Sequence, residues 1–121
     1  MTWNLNSDRP IYTQILEVIK MRIITGVYQP GEKIPSVREL AMQAGVNPNT
    51  MQKALSELER SGLVMAQRTS GRVVTEDMDM IGEVRNNLAK EQVHEFFVRM
   101  QELGYNRQEI MHLLEKEGEH E

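Results

Sequence analysis

The chain has 121 residues, is 40% hydrophobic and 26% charged, and contains no cysteine. That length fits one domain with a short appendage, and zero cysteines exclude disulfides, cysteine-ligated zinc, iron–sulfur clusters and thiol catalysis. The formal net charge of −4 speaks against a nucleic-acid partner only as an average: residues 1–76 carry nine Lys/Arg against seven Asp/Glu, a net +2, while residues 77–121 carry five against eleven, a net −6.

Pro10 opens a helix at Ile11, in which Ile11, Ile15, Val18, Ile19 and Ile23 recur at helical spacing with Gln14, Glu17, Lys20 and Arg22 between them. Gly26 stops it, Gln29-Pro30-Gly31 makes a turn, and Lys33-Ile34-Pro35 is short and extended. Ser36-Val37-Arg38-Glu39 fits a capping box. The short helix behind it places Val37, Leu40, Ala41 and Ala44 on one face and ends at Gly45. Asn47-Pro48-Asn49-Thr50 then supplies an N-cap and a proline at the first helical position. The helix it opens buries Met51, Ala54, Leu55 and Leu58 and runs to Ser61-Gly62. Residues 63–68 and 73–75 read as two short strands around the hairpin signal Thr69-Ser70-Gly71-Arg72. From Asp77 onward the pattern is helical. Ile81, Val84, Leu88, Val93, Phe96, Phe97, Met100 and Leu103 line one helix of roughly 25 residues, or ~37 Å at 1.5 Å per residue, which Gly104 ends. Asn106-Arg107-Gln108-Glu109 is a second capping signature, followed by Ile110, Met111, Leu113 and Leu114 and an acidic tail over residues 115–121.

Helix, short strand, helix, tight turn, helix and hairpin is the order of a winged helix-turn-helix. Two helices that cross closely need a small residue at the crossing and a glycine in the turn, and Ala41 and Gly45 supply them. The fold expected is therefore mainly α with a small β wing over residues 1–76, followed by a two-helix extension over residues 77–121. On the second helix of the pair Asn49, Gln52, Lys53 and Ser56 fall at i, i+3, i+4 and i+7, opposite the buried stripe. None is acidic. Amide and hydroxyl side chains can read base edges in the major groove, and a lysine can reach a base or a phosphate. Glu57 and Glu59 come only in the distal half, which in recognition helices points away from the bases. Arg68 and Arg72 flank the hairpin tip, with Gly71 letting the backbone turn, and suit phosphate or minor-groove contact. Arg38 lies in the first turn of a helix that crosses the DNA backbone in this architecture. Asn47, Asn49 and Thr50 sit at a helix N-terminus, where free N–H groups favour phosphate oxygens.

The run Gly31-Glu32-Lys33-Ile34-Pro35-Ser36-Val37-Arg38-Glu39-Leu40-Ala41, then Gly45-Val46-Asn47-Pro48-Asn49-Thr50, resembles the DNA-binding domain of the GntR family of bacterial transcription regulators. Pro10-Ile11-Tyr12-Thr13-Gln14-Ile15 and Leu58-Glu59-Arg60-Ser61-Gly62-Leu63 are similar to that family as well, so the resemblance spans residues 8–75. The Val-Asn-Pro-Asn-Thr variant with a short helical extension resembles the YtrA-type branch. What this implies is an operator-binding dimer, usually a repressor and often of transporter operons. It carries DNA contact to Arg38, Asn47, Asn49, Thr50, Gln52, Lys53 and the wing around Gly71. Many members have arginine where this chain has Pro48 and Gln52, which implies a different base code. The wing, Thr69-Ser70-Gly71-Arg72-Val73-Val74, lacks one glycine and the aromatic of the family pattern.

Ile81, Val84, Leu88, Val93, Phe96, Phe97, Met100, Leu103, Ile110, Leu113 and Leu114 form an apolar patch too large for two helices to hide alone. Self-association as a two-fold homodimer is the economical answer, and it would present two recognition helices to half-sites about one turn of DNA apart. A near-palindromic operator is expected. His94 and Glu91 lie at i, i+3 but no further ligand follows at helical spacing, so no metal site and no cofactor is expected; His112 and His120 are the other histidines. Residues 77–121 leave little room for a closed effector pocket, although a groove at a dimer interface stays open. The alternative, a winged-helix module that binds protein and not DNA, fits poorly with the polarity of Asn49, Gln52 and Lys53. An enzyme lacks a nucleophile–base signature, a phosphate loop or a ligand cluster here. No apolar run approaches the ~18–20 residues of a membrane span, and the N-terminus lacks a signal peptide's regions, so a cytoplasmic protein is expected.

Overall fold

The structure, a computed structural model, describes residues 3–69 and 71–119. Ser70 of the expected hairpin, His120 and the last residue of the acidic tail lie outside the described residues. Seven elements follow one another: α1 (Ile11–Ile24), α2 (Val37–Ala44), α3 (Pro48–Ser61), β1 (Val64–Ala66), β2 (Arg72–Val74), α4 (Met78–Glu102) and α5 (Arg107–Gly118). The chain divides into two compact units between Glu83 and Val84, within α4.

The first unit is a mainly helical winged helix-turn-helix. In α1, Ile15, Ile19 and Ile23 are buried, and so are Gln14 and Arg22 among the intervening polar positions. Both side chains are held by specific contacts. Gln14 Nε2 donates to the carbonyls of Asn6 and Arg9 at 2.8 and 2.9 Å, and its Oε1 accepts from the Asn6 N–H, which ties the N-terminal segment to the helix. Arg22 donates to the Tyr28 hydroxyl at 2.9 Å, and its guanidinium lies 4.3 Å from the Trp3 ring centroid.

The caps form as the sequence predicts. Ser36 Oγ accepts from the Glu39 N–H at 3.1 Å while Glu39 reaches back to the Ser36 N–H, and Asn106 and Glu109 repeat this reciprocal pair at the start of α5. Asn47 Oδ1 accepts from the Asn49 N–H at 2.7 Å, with Pro48 at the first helical position. Ser36→Ala is expected to cost about 1 kcal/mol. Urea denaturation should show a lower midpoint at unchanged slope. α2 ends at Gly45, whose φ of +69° is open to glycine at little cost, and the Val46 N–H returns to the Ala41 carbonyl at 3.0 Å. A Cβ at Gly45 would meet nothing within 4 Å, so the turn demands the glycine for its backbone angle. The small residue in the tight position is Ala41, buried beside Leu40.

α3 packs on both α1 and α2. Its Met51, Ala54, Leu55 and Leu58 are fully buried, joined by Ile34, Leu63, Val64 and Val74. β1 and β2 are antiparallel with Val64 opposite Val74, Met65 opposite Val73 and Ala66 opposite Arg72. The extended segment around Lys33 runs along the free edge of β2: Lys33 bridges Val73, and the Ile34 N–H donates to the Arg72 carbonyl at 3.0 Å. The first unit also takes in the beginning of α4. Asp77 Oδ1 accepts from the Met80 N–H at 3.0 Å, the Met80 side chain covers Gly62, and Ile81 is buried.

The second unit holds the remainder of α4 and α5. Phe96 and Phe97 meet edge to face at 5.9 Å, the Arg107 guanidinium lies 5.7 Å from the Phe97 ring centroid, and Ile110 is buried. No helix among the described residues is long and apolar enough to cross a membrane.

Candidate nucleic-acid interface

α3 carries the polar row that its spacing predicts. Asn49, Gln52 and Lys53 are exposed, Thr50 and Ser56 half-buried, and the opposite face is closed by the buried Met51–Leu58 stripe. Gln52 Nε2 donates to Ser56 Oγ at 3.2 Å, one turn along the helix. The Lys53 ammonium lies 3.9 Å from the centroid of the Tyr12 ring, on α1. Asn47 is exposed and its Oδ1 is engaged in the cap, which leaves its amide N–H₂ to donate outward.

The acids on this helix are matched by cations. Glu57 pairs with Arg60 at 3.0 Å, and Glu59 accepts from Arg72 Nε in a close ion pair. Neither therefore stands as an unopposed charge facing an approaching polyanion.

The two arginines of the wing, read alike in the sequence, have different settings. Arg68 is exposed within the turn that the Gln67 N–H closes on the Gly71 carbonyl at 3.0 Å. Arg72 is half-buried and directed back onto α3 by Glu59, so its charge clamps the wing to that helix. Gly71 has φ +76°, and a Cβ there would lie 2.8 Å from Lys33 Cε. The exposed Lys33 thus lies against the turn that holds Arg68, as a third cation of the wing which the sequence reading passed over. A signal was present in the adjacency of Lys33 to the extended segment, but its pairing with β2 is a nonlocal event. Tyr12 was likewise passed over, because a tyrosine in the first turn of α1 reads as part of a helix face. Arg38 is exposed in the first turn of α2.

The apolar residues predicted as an association face differ in burial. Ile81 and Ile110 are covered within the single chain, at 5% and 0% exposure, and can offer no surface to a partner. Val84, Leu88, Phe96, Phe97 and Met100 are half-buried, whereas Val93, Leu103, Leu113 and Leu114 remain exposed. Val93, Phe97, Met111 and Leu114 line an open groove of about 820 Å³, rimmed by Lys90, His94 and Arg107. Among the described residues no acidic side chain lines it. Among the described residues no group of three or more His, Asp and Glu is arranged to hold a metal ion.

The sequence profile described as "Bacterial regulatory proteins, gntR family" matches residues 11–74. The chain is 40% identical over 105 residues to the uncharacterized HTH-type transcriptional regulator YhcF of Bacillus subtilis, covering 87% of each protein. It is 39% identical over 93 residues to the HTH-type transcriptional repressor YtrA of the same organism, covering 76% of this chain and 72% of that one. A solved structure of a GntR family transcriptional regulator from Listeria monocytogenes superposes with a TM-score of 0.85 at 38% identity, over 93% of this chain and 98% of that one.

Proposed function

The chain belongs to the gntR family of bacterial regulatory proteins, DNA-binding transcription regulators and not enzymes, and from that premise we propose that it is a cytoplasmic repressor that binds a near-palindromic operator as a homodimer. The observation that carries this reading is the row of exposed Asn49, Gln52 and Lys53 with half-buried Ser56, on a helix whose other face is fully buried and whose acids are paired. Asn49 and Gln52 have the amide chemistry that reads adenine edges. Arg38, Asn47, Thr50 and Arg68 surround them as phosphate contacts, and Gly71 lets the wing backbone come close to the DNA. Arg72 holds the wing in place against α3 through Glu59. Repression, and a transporter operon as target, follow the repressor relative and the YtrA-type motif.

Selection from a random duplex library tests the reading. Enrichment of inverted half-sites about one helical turn apart is expected, and a library that stays unenriched would overturn it. On the selected duplex, Arg38→Ala combined with Lys53→Ala is expected to lower the slope of log affinity against log salt by about two for each protomer bound, roughly one for each phosphate contact removed. An unchanged slope and affinity would show that neither cation faces DNA.

A further inference from the structure

We propose that Tyr12 is a positioning residue for Lys53, holding its ammonium for a DNA phosphate and so removing this lysine from base reading. The inference rests on the DNA-binding reading above and adds to it a residue outside the helix-turn-helix.

Lys53 sits in the second turn of α3 and pairs with no carboxylate among the described residues. The ordinary partner at i+4 is Glu57, the geometry in which helical ion pairs form. Glu57 is instead engaged by Arg60 at 3.0 Å. The Lys53 ammonium lies 3.9 Å from the Tyr12 ring centroid, well inside the ~6 Å reach of a cation–π contact. Tyr12 is half-buried on α1, which packs against α3, so the ring is fixed while the ammonium above it remains exposed.

This arrangement differs from a salt bridge in what it leaves available. A carboxylate would neutralise the lysine and compete with a phosphate for its protons. A ring attracts the cation through its quadrupole and leaves the charge whole. The donors facing away from the ring stay free for an oxygen anion. Holding the long side chain also reduces the rotamer freedom that binding would otherwise remove, which for lysine is among the largest of any residue. The direction of the hold matters as well. It draws the ammonium toward α1 and off the row in which Gln52 and Ser56 are hydrogen-bonded to each other at 3.2 Å. Base readout then falls to Asn49, Gln52 and Ser56.

The test uses the full chain, the selected operator and a scrambled duplex of equal length, with affinities read by fluorescence anisotropy. Tyr12→Leu is expected to weaken binding to both duplexes by a similar factor of about two to five, as loss of an exposed cation–π contact would. Tyr12→Phe keeps the ring and should bind as the parent does. In a Lys53→Ala background Tyr12→Leu should have no further effect. A Tyr12→Leu loss that persists undiminished in the Lys53→Ala background, or no loss at all, would overturn the proposal. Lys53→Ala alone supplies a check that does not depend on Tyr12→Leu folding: equal loss on both duplexes supports the phosphate role, and loss confined to the operator refutes it. A parent protein that binds neither duplex would defeat the DNA-binding reading itself, while a binding parent with additive variants defeats only the role of Tyr12.

Discussion

In the proposed homodimer, Val93→Asp combined with Leu114→Asp is expected to yield monomer and to weaken operator binding by about 10²–10⁴-fold, the avidity lost when two linked half-sites become independent. Val93 is 55% exposed and Leu114 43%, and both line the open groove of the second unit. Carboxylates there would have to be buried against apolar side chains if the face met a second copy. Phe96 and Phe97 are less informative sites for this substitution. They are half-buried and stacked edge to face, with Arg107 over Phe97, so an aspartate would disturb the unit's own packing. Sedimentation equilibrium reads the association state and circular dichroism confirms that the helices persist. A variant that still sediments as a dimer would place the interface elsewhere.

Leu55→Ala should have the second large effect, on stability rather than assembly. Leu55 is fully buried on α3, the helix that packs against both α1 and α2. Truncation of such a leucine costs about 2–5 kcal/mol, because apolar contact is lost and the surrounding helices close the cavity only in part. That is a large share of the ~5–15 kcal/mol by which a domain of this kind is stable. Urea denaturation should show the loss directly, with DNA binding falling as the folded fraction falls. Leu103→Ala serves as the comparison. Leu103 is 72% exposed, and its truncation should stay within about 0.5 kcal/mol in the monomeric background. A Leu55→Ala variant that loses less than 1 kcal/mol would mean that the α1–α3 seam can collapse around the gap.

Most of the first unit, and the start of α5 in the second, was legible in the sequence because the signals are short-range. The Ser36–Glu39 and Asn106–Glu109 boxes, the Asn47-Pro48 start and the Gly45 turn each involve residues within four positions of one another, and all four stand where they were expected. The apolar stripe of α3 is equally local, since 3.6-residue periodicity places Met51, Leu55 and Leu58 on one face whatever they later meet. The candidate site was half legible by the same means: the spacing of Asn49, Gln52, Lys53 and Ser56 fixes a common face without saying what touches it.

Partners from other elements decided the remainder. Arg68 and Arg72 look equivalent beside a hairpin tip, yet Arg72 lies across from Glu59, thirteen residues earlier in the chain, and turns inward. Lys33 comes to Gly71 only because its segment pairs with β2, and Lys53 comes to Tyr12 only because α1 packs on α3. Ile81 and Ile110 share a helical periodicity with Val93 and Leu114, but periodicity tells which side of a helix is apolar and not which part of that side the same chain already covers. Local spacing and short motifs were enough for the caps, the helices, the family and the polar row. Tertiary structure alone decided which cations are held and how, since a side chain's partner across elements depends on the distance and angle at which two helices or strands meet, and no spacing along one strand of chain encodes that.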